Sequence, residues 1–293
     1  MNEASFFLND TFGRLKMALA GGGALEPGEK LGSNDESASL VDAFSQAGAL
    51  SPIDTPPPDD WLSRIDTWVF DLDNTLYPSD SDLWPKIDQR ITLFVAHFFG
   101  LDGMSGRALQ KYYYQRYGTT LRGLMEEHGI GPDDFLDFTH DIDRSSLLPN
   151  LALATAITAL PGRKLILTNG SRDHALRTAE ALGIEAMFED IFDIAAADFV
   201  PKPQAATYER FLERHAVDPA RAVMFEDLAR NLVIPHERGM TTVLVVPKPG
   251  QMDHRDAFEI TSEAVPPHID FVTSDLALFL LALVPDAPDG IDV

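Results

Sequence analysis

Five short runs of uninterrupted apolar residues, with helical patterns between them, constrain this chain more than any other feature. They are TWVFDL (67–72), KLILTN (164–169), AVMFED (222–227), TTVLVV (241–246) and DFVTS (270–274). A strand with one wet face alternates apolar and polar residues; these runs do not. Continuous apolarity is what parallel strands covered on both faces require. Between them, RDHALRTAEALG (172–183) predicts a helix with Ala175, Leu176, Ala179 and Leu182 on its buried face and Gly183 as its C-terminal stop. A second helix is predicted over residues 204–215. Strand, helix and strand in repetition give βαβ units, hence an α/β fold with a doubly wound parallel sheet.

One block breaks the rhythm. From residue 83 to about residue 149, WPKIDQRITLFVAHFFG, SGRALQKYYYQRYG, TTLRGLMEEHG and PDDFLDFTHDI all carry helical patterns and no strand intervenes. The sequence therefore predicts a core of residues 61–82 and 150–283, interrupted by a small helical domain over 83–149. Residues 1–60 form an N-terminal extension whose Gly, Pro, Ser and acid content, as in GGGALEPGEKLGSNDESAS and SPIDTPPPDD, predicts partial mobility. Within it Phe6, Phe7, Phe12, Leu15 and Leu19 share one face of a short helix, either docked on the body or offered to a partner. Residues 284–293 read as an acidic C-terminal tail.

Charge and composition narrow the classes of function. The 293 residues include 46 acids and 23 bases, a formal net charge of −23. Such a field repels nucleic-acid polymers and anionic membrane surfaces. It still permits a small anionic substrate where a metal and a few cations dominate locally. Cysteine is absent, which excludes disulfides, thiolate metal sites and cysteine nucleophiles and fits a reducing compartment. No apolar run approaches the roughly twenty residues of a membrane span, and the start, MNEASFFLND, lacks the pattern of a secretory signal. A cytoplasmic protein is expected.

In open parallel sheets, ligands bind beyond the carboxyl ends of the strands. The first run ends in Asp71 and Asp73, two carboxylates whose proximity costs free energy unless a cation, a proton or a reaction offsets it. The second ends in Thr168, followed by Asn169, Gly170 and Ser171; the third ends in Glu226 and Asp227; and VPKPQ sets Lys202 between Pro201 and Pro203. Each has a plain structural reading alone: Asp71 as a turn residue, Thr168 and Asn169 as a helix cap, Lys202 as a surface lysine, Glu226 and Asp227 as acids in a helix's first turn. Together, in order at successive strand ends, they suit a phosphate and a hard divalent cation. Asp71 and Asp227 offer oxygen ligands of the kind Mg²⁺ takes. One carboxylate can attack phosphorus and another can serve as acid and then base. The Thr168 hydroxyl and the amides of residues 169–171 can hold phosphate oxygens, and Lys202 can balance charge.

This ordered set resembles the haloacid dehalogenase superfamily, whose first motif, DxDx[TV], stands here as DLDNT (71–75). The second motif is matched by LILTN with Thr168, the third by Lys202, and the fourth by FEDLARN (225–231). The resemblance implies a Rossmannoid core with an inserted helical cap. It implies that Asp71 is the nucleophile and a metal ligand, that Asp73 is the general acid/base and meets Mg²⁺ through its backbone carbonyl, and that Asp227 is a further ligand. Thr168 then holds phosphate, with Asn169 and Gly170 beside it, and Lys202 balances charge. Asn231 stands where many members carry a second acid, a departure that puts its ligation in question. Dehalogenating members lack an acid at the Asp73 position, so the resemblance implies phosphoryl transfer. FDLDNTLYP, YGTTLRGL (117–124), LTNGSRDHA and FEDLARNL further resemble the pyrimidine 5′-nucleotidases. On that resemblance Thr119, Thr120 and Arg122 reach a nucleotide; the alternative is that they cap and flank a helix. Of Tyr112, Tyr113 and Tyr114, which face different directions on a helix, at least one is expected in the core. The expected activity is Mg²⁺-dependent hydrolysis of a small phosphorylated metabolite, a pyrimidine nucleoside 5′-monophosphate, through an aspartyl phosphate. The rivals are a sugar-phosphate phosphatase or phosphomutase, and a regulatory binding protein on a phosphatase core.

Overall fold

Each of the five apolar runs forms a strand, and all lie in one sheet. The computed structural model describes residues 61–256, 258–260 and 265–284. The N-terminal extension, the helix expected around Phe6 to Leu19 and the acidic tail from residue 285 onward fall outside the described residues. The strands are β1 (Thr67–Phe70), β2 (Arg163–Leu167), β3 (Asp190–Phe192), β4 (Ala222–Glu226), β5 (Thr241–Val245) and β6 (Phe271–Thr273). Their order is β3-β2-β1-β4-β5-β6, and every pairing is parallel. The chain winds outward from β1 in both directions, so β1 and β4 flank the switch point where such sheets open a crevice. Strand β3 has no counterpart among the five predicted runs. It is three residues long and embedded in the acidic stretch EDIFDIAAAD.

The sheet's apolar continuity follows from its two buried faces. Successive residues of β1 enter opposite cores: Trp68 and Phe70 join one cluster, Val69 the other. The first core is covered by α5 (Leu151–Ala159), α6 (Arg172–Leu182) and α9 (Leu276–Leu283), and the second by α7 (Ala205–His215). Phe70 and Phe225, paired across β1 and β4, stack at 4.7 Å between ring centres. Trp68 Nε1 donates to the carbonyl of Pro161 at 2.7 Å, tying β1 to the turn that precedes β2 across 93 positions of sequence. Helix α6 ends as expected, with Gly183 left-handed at φ 70°. Its buried face differs from expectation. Leu176 is 41% exposed, and His174 and Thr178 are buried instead beside Ala175, Ala179 and Leu182. The face is rotated because His174 has polar partners inside.

After β1 the chain makes four helices before returning to the sheet: α1 (Leu83–Phe99), α2 (Gly103–Tyr117), α3 (Thr120–His128) and α4 (Pro132–His140). They have an apolar centre of their own, with Phe94 edge-on to Phe135 and packed against Phe138. Gly106 lets α1 and α2 approach closely, since a Cβ there would lie 2.6 Å from the Cβ of Ala96. Tyr113 is the core member of the tyrosine triplet, while Tyr112 is exposed. A short helix α8 (Val233–Glu237) completes the α-helices among the described residues. No helix among the described residues is long and apolar enough to cross a membrane.

Candidate active site

The carboxyl ends of β1, β2 and β4 bring the sequence-predicted residues together. Asp71 directly follows β1, and its N–H donates to the Phe225 carbonyl at 2.9 Å, extending the β1–β4 pairing by one residue. The chain then turns, with Asn74 in the left-handed region at φ 58°, a conformation asparagine tolerates better than most side chains. Lys202 crosses from the loop before α7. Its Nζ lies 2.6 Å from Asp71 Oδ1, 2.7 Å from Glu226 Oε1 and 2.9 Å from the Leu167 carbonyl, so all three ammonium hydrogens have an acceptor. Glu226 also accepts from Asn231 Nδ2 at 2.6 Å and from the Leu228 N–H at 2.8 Å.

Burial and charge set the electrostatics. Lys202, Glu226 and Asp71 are 2%, 1% and 6% exposed. Burial opposes the Lys202 ammonium, but the flanking carboxylates of Asp71 and Glu226 overcome it and hold its pKa above the usual lysine value. Burial pushes the Asp71 carboxyl up to about 7, against the pull of Lys202 and with the help of Glu226 and Asp73. Asp227 is driven well above the carboxylate range by burial and by the charges of Glu226 and Asp71. Among the described residues, its side chain accepts from Asn74 Nδ2, at 3.5 Å. Three carboxylates thus face one ammonium.

That imbalance tests whether a cation suits the site. Ligand atoms of Asp71, Glu226 and Asp227 lie within 4.8 Å of one another, all buried. Among the described residues, the buried amide oxygens of Asn74 and Asn231 find no hydrogen-bond donor. Surplus negative charge beside unpaired neutral oxygens is a hard-cation donor set, and it fits Mg²⁺. Glu226 is the least available ligand of the three, because Lys202, Asn231 and Leu228 already occupy it.

Beyond β2, Thr168 is 2% exposed, and its Oγ1 accepts from the Gly170 N–H at 2.9 Å. Gly170 sits above it beside Asp73: a Cβ there would lie 3.0 Å from His174 Cδ2 and 3.4 Å from Thr168 Oγ1. Asn169 holds Lys202 rather than capping a helix. Its Oδ1 accepts from the Lys202 N–H at 2.8 Å and its Nδ2 donates to the Lys202 carbonyl at 3.3 Å. The cap of α6 is Ser171, whose hydroxyl accepts from the His174 N–H.

Asp73 carries a set of partners that no sequence spacing announced. Tyr77 donates its hydroxyl to Asp73 Oδ1 at 2.6 Å, and His174 Nε2 meets the same oxygen at 2.9 Å. Burial pushes the Asp73 carboxyl up, yet the His174 ring and the bonds from His174 and Tyr77 outweigh it and hold the group below its ordinary value. His174 is fully buried and stacks on His140, ring centres 4.4 Å apart and planes 12° apart. Tyr77 and His174 left one signal in the sequence, an aromatic and a histidine each a few residues past a motif.

Part of this set lines a cavity of about 150 Å³ between the strand ends and the helical insertion, with Thr168, Tyr77 and His174 lying behind its surface. A single water needs roughly 10–15 Å³ on this measure, so the space suits a small molecule. Asp71, Asp73, Asn169, Gly170, Lys202 and Asp227 line its floor; Tyr114, Thr119, Thr120 and His140 line it from the insertion. Thr119 is also the N-cap of α3, accepting from the Arg122 N–H at 3.2 Å. Arg122 is not among the lining residues. Its guanidinium bonds Glu126 one turn on, and the Phe199 carbonyl at 3.4 Å. It follows the Thr119 cap by three residues, and those two bonds hold its guanidinium outside the cavity lining.

Comparison with known proteins adds a classification. A family model described as haloacid dehalogenase-like hydrolase matches residues 65–232. Over 117 residues the chain is 30% identical to phosphate metabolism protein 8 of Saccharomyces cerevisiae, a match covering 36% of this chain and 36% of that protein. Only about a third of that relative's length is therefore shared. Among solved structures, the L-2-haloacid dehalogenase of Xanthobacter autotrophicus with chloropropionic acid covalently bound aligns at a TM-score of 0.45 and 16% identity, over 74% of this chain and 98% of that one. A HAD phosphatase from Thermococcus onnurineus aligns at 0.44 and 15%, over 65% and 90%.

Proposed function

The chain belongs to the haloacid dehalogenase-like hydrolases, and from that premise we propose that it is a Mg²⁺-dependent phosphomonoesterase working through an aspartyl phosphate on Asp71, with a nucleoside 5′-monophosphate, most fittingly a pyrimidine one, as substrate. The observation that carries this reading is the pairing of Asp71, held by Lys202, with a second carboxylate, Asp73, that has its own separate donors. Two carboxyls in different environments can take different roles. A departing halide needs no proton, whereas a departing alkoxide does. A carboxyl placed to donate, as Asp73 is, therefore favours an oxygen leaving group over a halide.

In this reading Asp71 Oδ attacks phosphorus and the bond from phosphorus to the ester oxygen breaks. The proton carried by Asp73 goes to that oxygen as the alcohol leaves. A phosphate beside Asp73 brings negative charge, which favours the protonated carboxyl needed for this step. Asp73 then takes a proton from water, whose oxygen attacks the aspartyl phosphate, releasing phosphate and restoring Asp71. Lys202 stabilises the Asp71 carboxylate and the charge on the transferring group. Thr168, Asn169 and Gly170 position the phosphate, directly or by fixing Lys202. Asp71, Asp227 and the backbone carbonyl of Asp73 would hold Mg²⁺, which neutralises phosphate charge when bound. Tyr114, Thr119 and Thr120 face the cavity where the rest of the substrate lies, and their rings and hydroxyls suit a nucleoside.

The test is phosphate release from nucleoside monophosphates and sugar phosphates, with Mg²⁺ and with chelator, by the wild type and Asp71→Asn. Metal-dependent release strongest on UMP or CMP and abolished in the variant is the expected result. Preference for a sugar phosphate would keep the mechanism and move the substrate. Release by Asp71→Asn at the wild-type rate would sink the nucleophile.

A further inference from the structure

Arg144 is a buried arginine that pairs with no carboxylate among the described residues. It lies on the segment that returns from the helical insertion to α5, and it is 9% exposed. Four acceptors fix its guanidinium: Thr178 Oγ1 at 3.2 Å, the Ile142 carbonyl at 3.1 Å, the His140 carbonyl at 3.3 Å and His174 Nδ1 at 2.8 Å. A guanidinium only donates. The contact with His174 therefore makes Nδ1 the acceptor, and the ring's proton resides on Nε2. That nitrogen points at Asp73 Oδ1, 2.9 Å away, so it donates. The plane of the ring is set by the stacked His140, whose own Nδ1 meets Ser171 Oγ at 2.9 Å.

The directions of the bonds from Arg144 through His174 to Asp73 are thus determined, and they end at one oxygen. Asp73 Oδ1 receives both His174 Nε2–H and the Tyr77 hydroxyl. Oδ2, on the side of Gly170, receives neither. We infer that His174, locked in one tautomer by Arg144, is a positioning residue that reserves Asp73 Oδ1 as an acceptor, so that Oδ2 is the atom that hands its proton to the leaving group and later takes one from water. This rests on the phosphomonoesterase reading above. It adds that the exit of the helical insertion, through His140 and Arg144, takes part in aiming the general acid. A second carboxyl oxygen free of donors can rotate its proton onto the ester oxygen; two half-satisfied oxygens would leave that choice open.

The experiment measures kcat/KM for two esters. Uridine 5′-monophosphate has an alkoxide leaving group that needs a proton, and p-nitrophenyl phosphate has one that departs without it. Because general acid catalysis contributes about 10²–10⁴-fold, His174→Leu is expected to lose at least about tenfold more on the nucleotide than on the nitrophenyl ester. His174→Gln, whose amide NH₂ approximates the position of Nε2–H, is expected to stay within about threefold of wild type on both. Equal losses on the two esters, or no loss, would overturn the inference. If circular dichroism shows His174→Leu unfolded, Arg144→Met carries the same comparison: a selective loss on the nucleotide supports the relay, and a uniform loss or none overturns it. A wild type inactive on both esters and on the sugar phosphates as well would overturn the phosphomonoesterase reading itself. An active wild type that loses turnover in Asp73→Asn while staying indifferent to His174 would overturn only the relay.

Discussion

Asn169 grips Lys202 at both ends of its backbone unit, accepting from its N–H at 2.8 Å and donating to its carbonyl at 3.3 Å. That grip fixes the backbone from which the Lys202 ammonium reaches Asp71. Asn169→Ala removes the grip without touching any reacting atom. A misplacement of about 1 Å at a catalytic group can cost roughly a hundredfold, so kcat/KM should fall about ten- to a hundredfold with the chain still folded. Steady-state kinetics beside a thermal melt checks both parts.

Lys202→Met should be a stability variant as well as a dead enzyme. It leaves Asp71 and Glu226, both buried, without their shared cation. Breaking a buried pair by removing one partner costs about 3–5 kcal/mol. Urea unfolding in chelator should show a loss of that size, and Mg²⁺ should recover part of it.

Asp227→Asn should move stability and metal response in opposite directions. The substitution removes one carboxylate from a cluster in which burial, Glu226 and Asp71 all oppose its charge. The metal-free variant should therefore melt higher than metal-free wild type. Added Mg²⁺ should stabilise wild type, by about 2.7 kcal/mol at a hundred times its Kd, and the variant much less. Thermal melts across a Mg²⁺ titration read both effects; a variant that melts lower without metal and responds equally to it would refute the ligand assignment.

Gly106→Ala probes the insertion without touching the site. Its Cβ would meet Ala96 Cβ at 2.6 Å and Ala96 Cα at 3.0 Å, so α1 and α2 must spread. Overpacking of this kind costs about 1–3 kcal/mol. Chemical denaturation should show that loss, with KM changing more than kcat because the residues altered in position line the substrate end of the cavity.

The parts of this molecule legible in its sequence are those where one physical demand acts on consecutive residues. β1, β2, β4, β5 and β6 had to be apolar on both faces, and their runs show it. The four insertion helices carry helical periodicity, and three of them stop at glycines visible in the sequence, Gly100, Gly118 and Gly129, while the fourth stops at Asp141. Strand β3 is too short to show any pattern, and it pairs only because β2 offers an edge. At the site, Asp71, Asp73, Thr168, Lys202 and Asp227 stood out because strand ends are where parallel sheets bind ligands. His174, Arg144 and Tyr77 did not, because their purpose lies in contacts between distant elements. The misjudged face of α6 has the same origin: hydrophobicity favoured Leu176 inside, but the polar partners of His174 decided the rotation. Asn169 looked like a cap because its neighbour Ser171 is one.

The tie between Trp68 and Pro161 also bears on how the chain acquires its structure. The two residues are 93 positions apart, with the whole helical insertion between them. Closing so long a segment is entropically expensive, and parallel pairings that depend on it form slowly. The insertion's own contacts are local, so its helices collapse early and shorten the span that β1 and β2 must bridge. The groups of the candidate site, drawn from strand ends that arrive separately, should assemble last. Refolding followed by circular dichroism and by turnover should show helical signal returning well before the first product molecule is made.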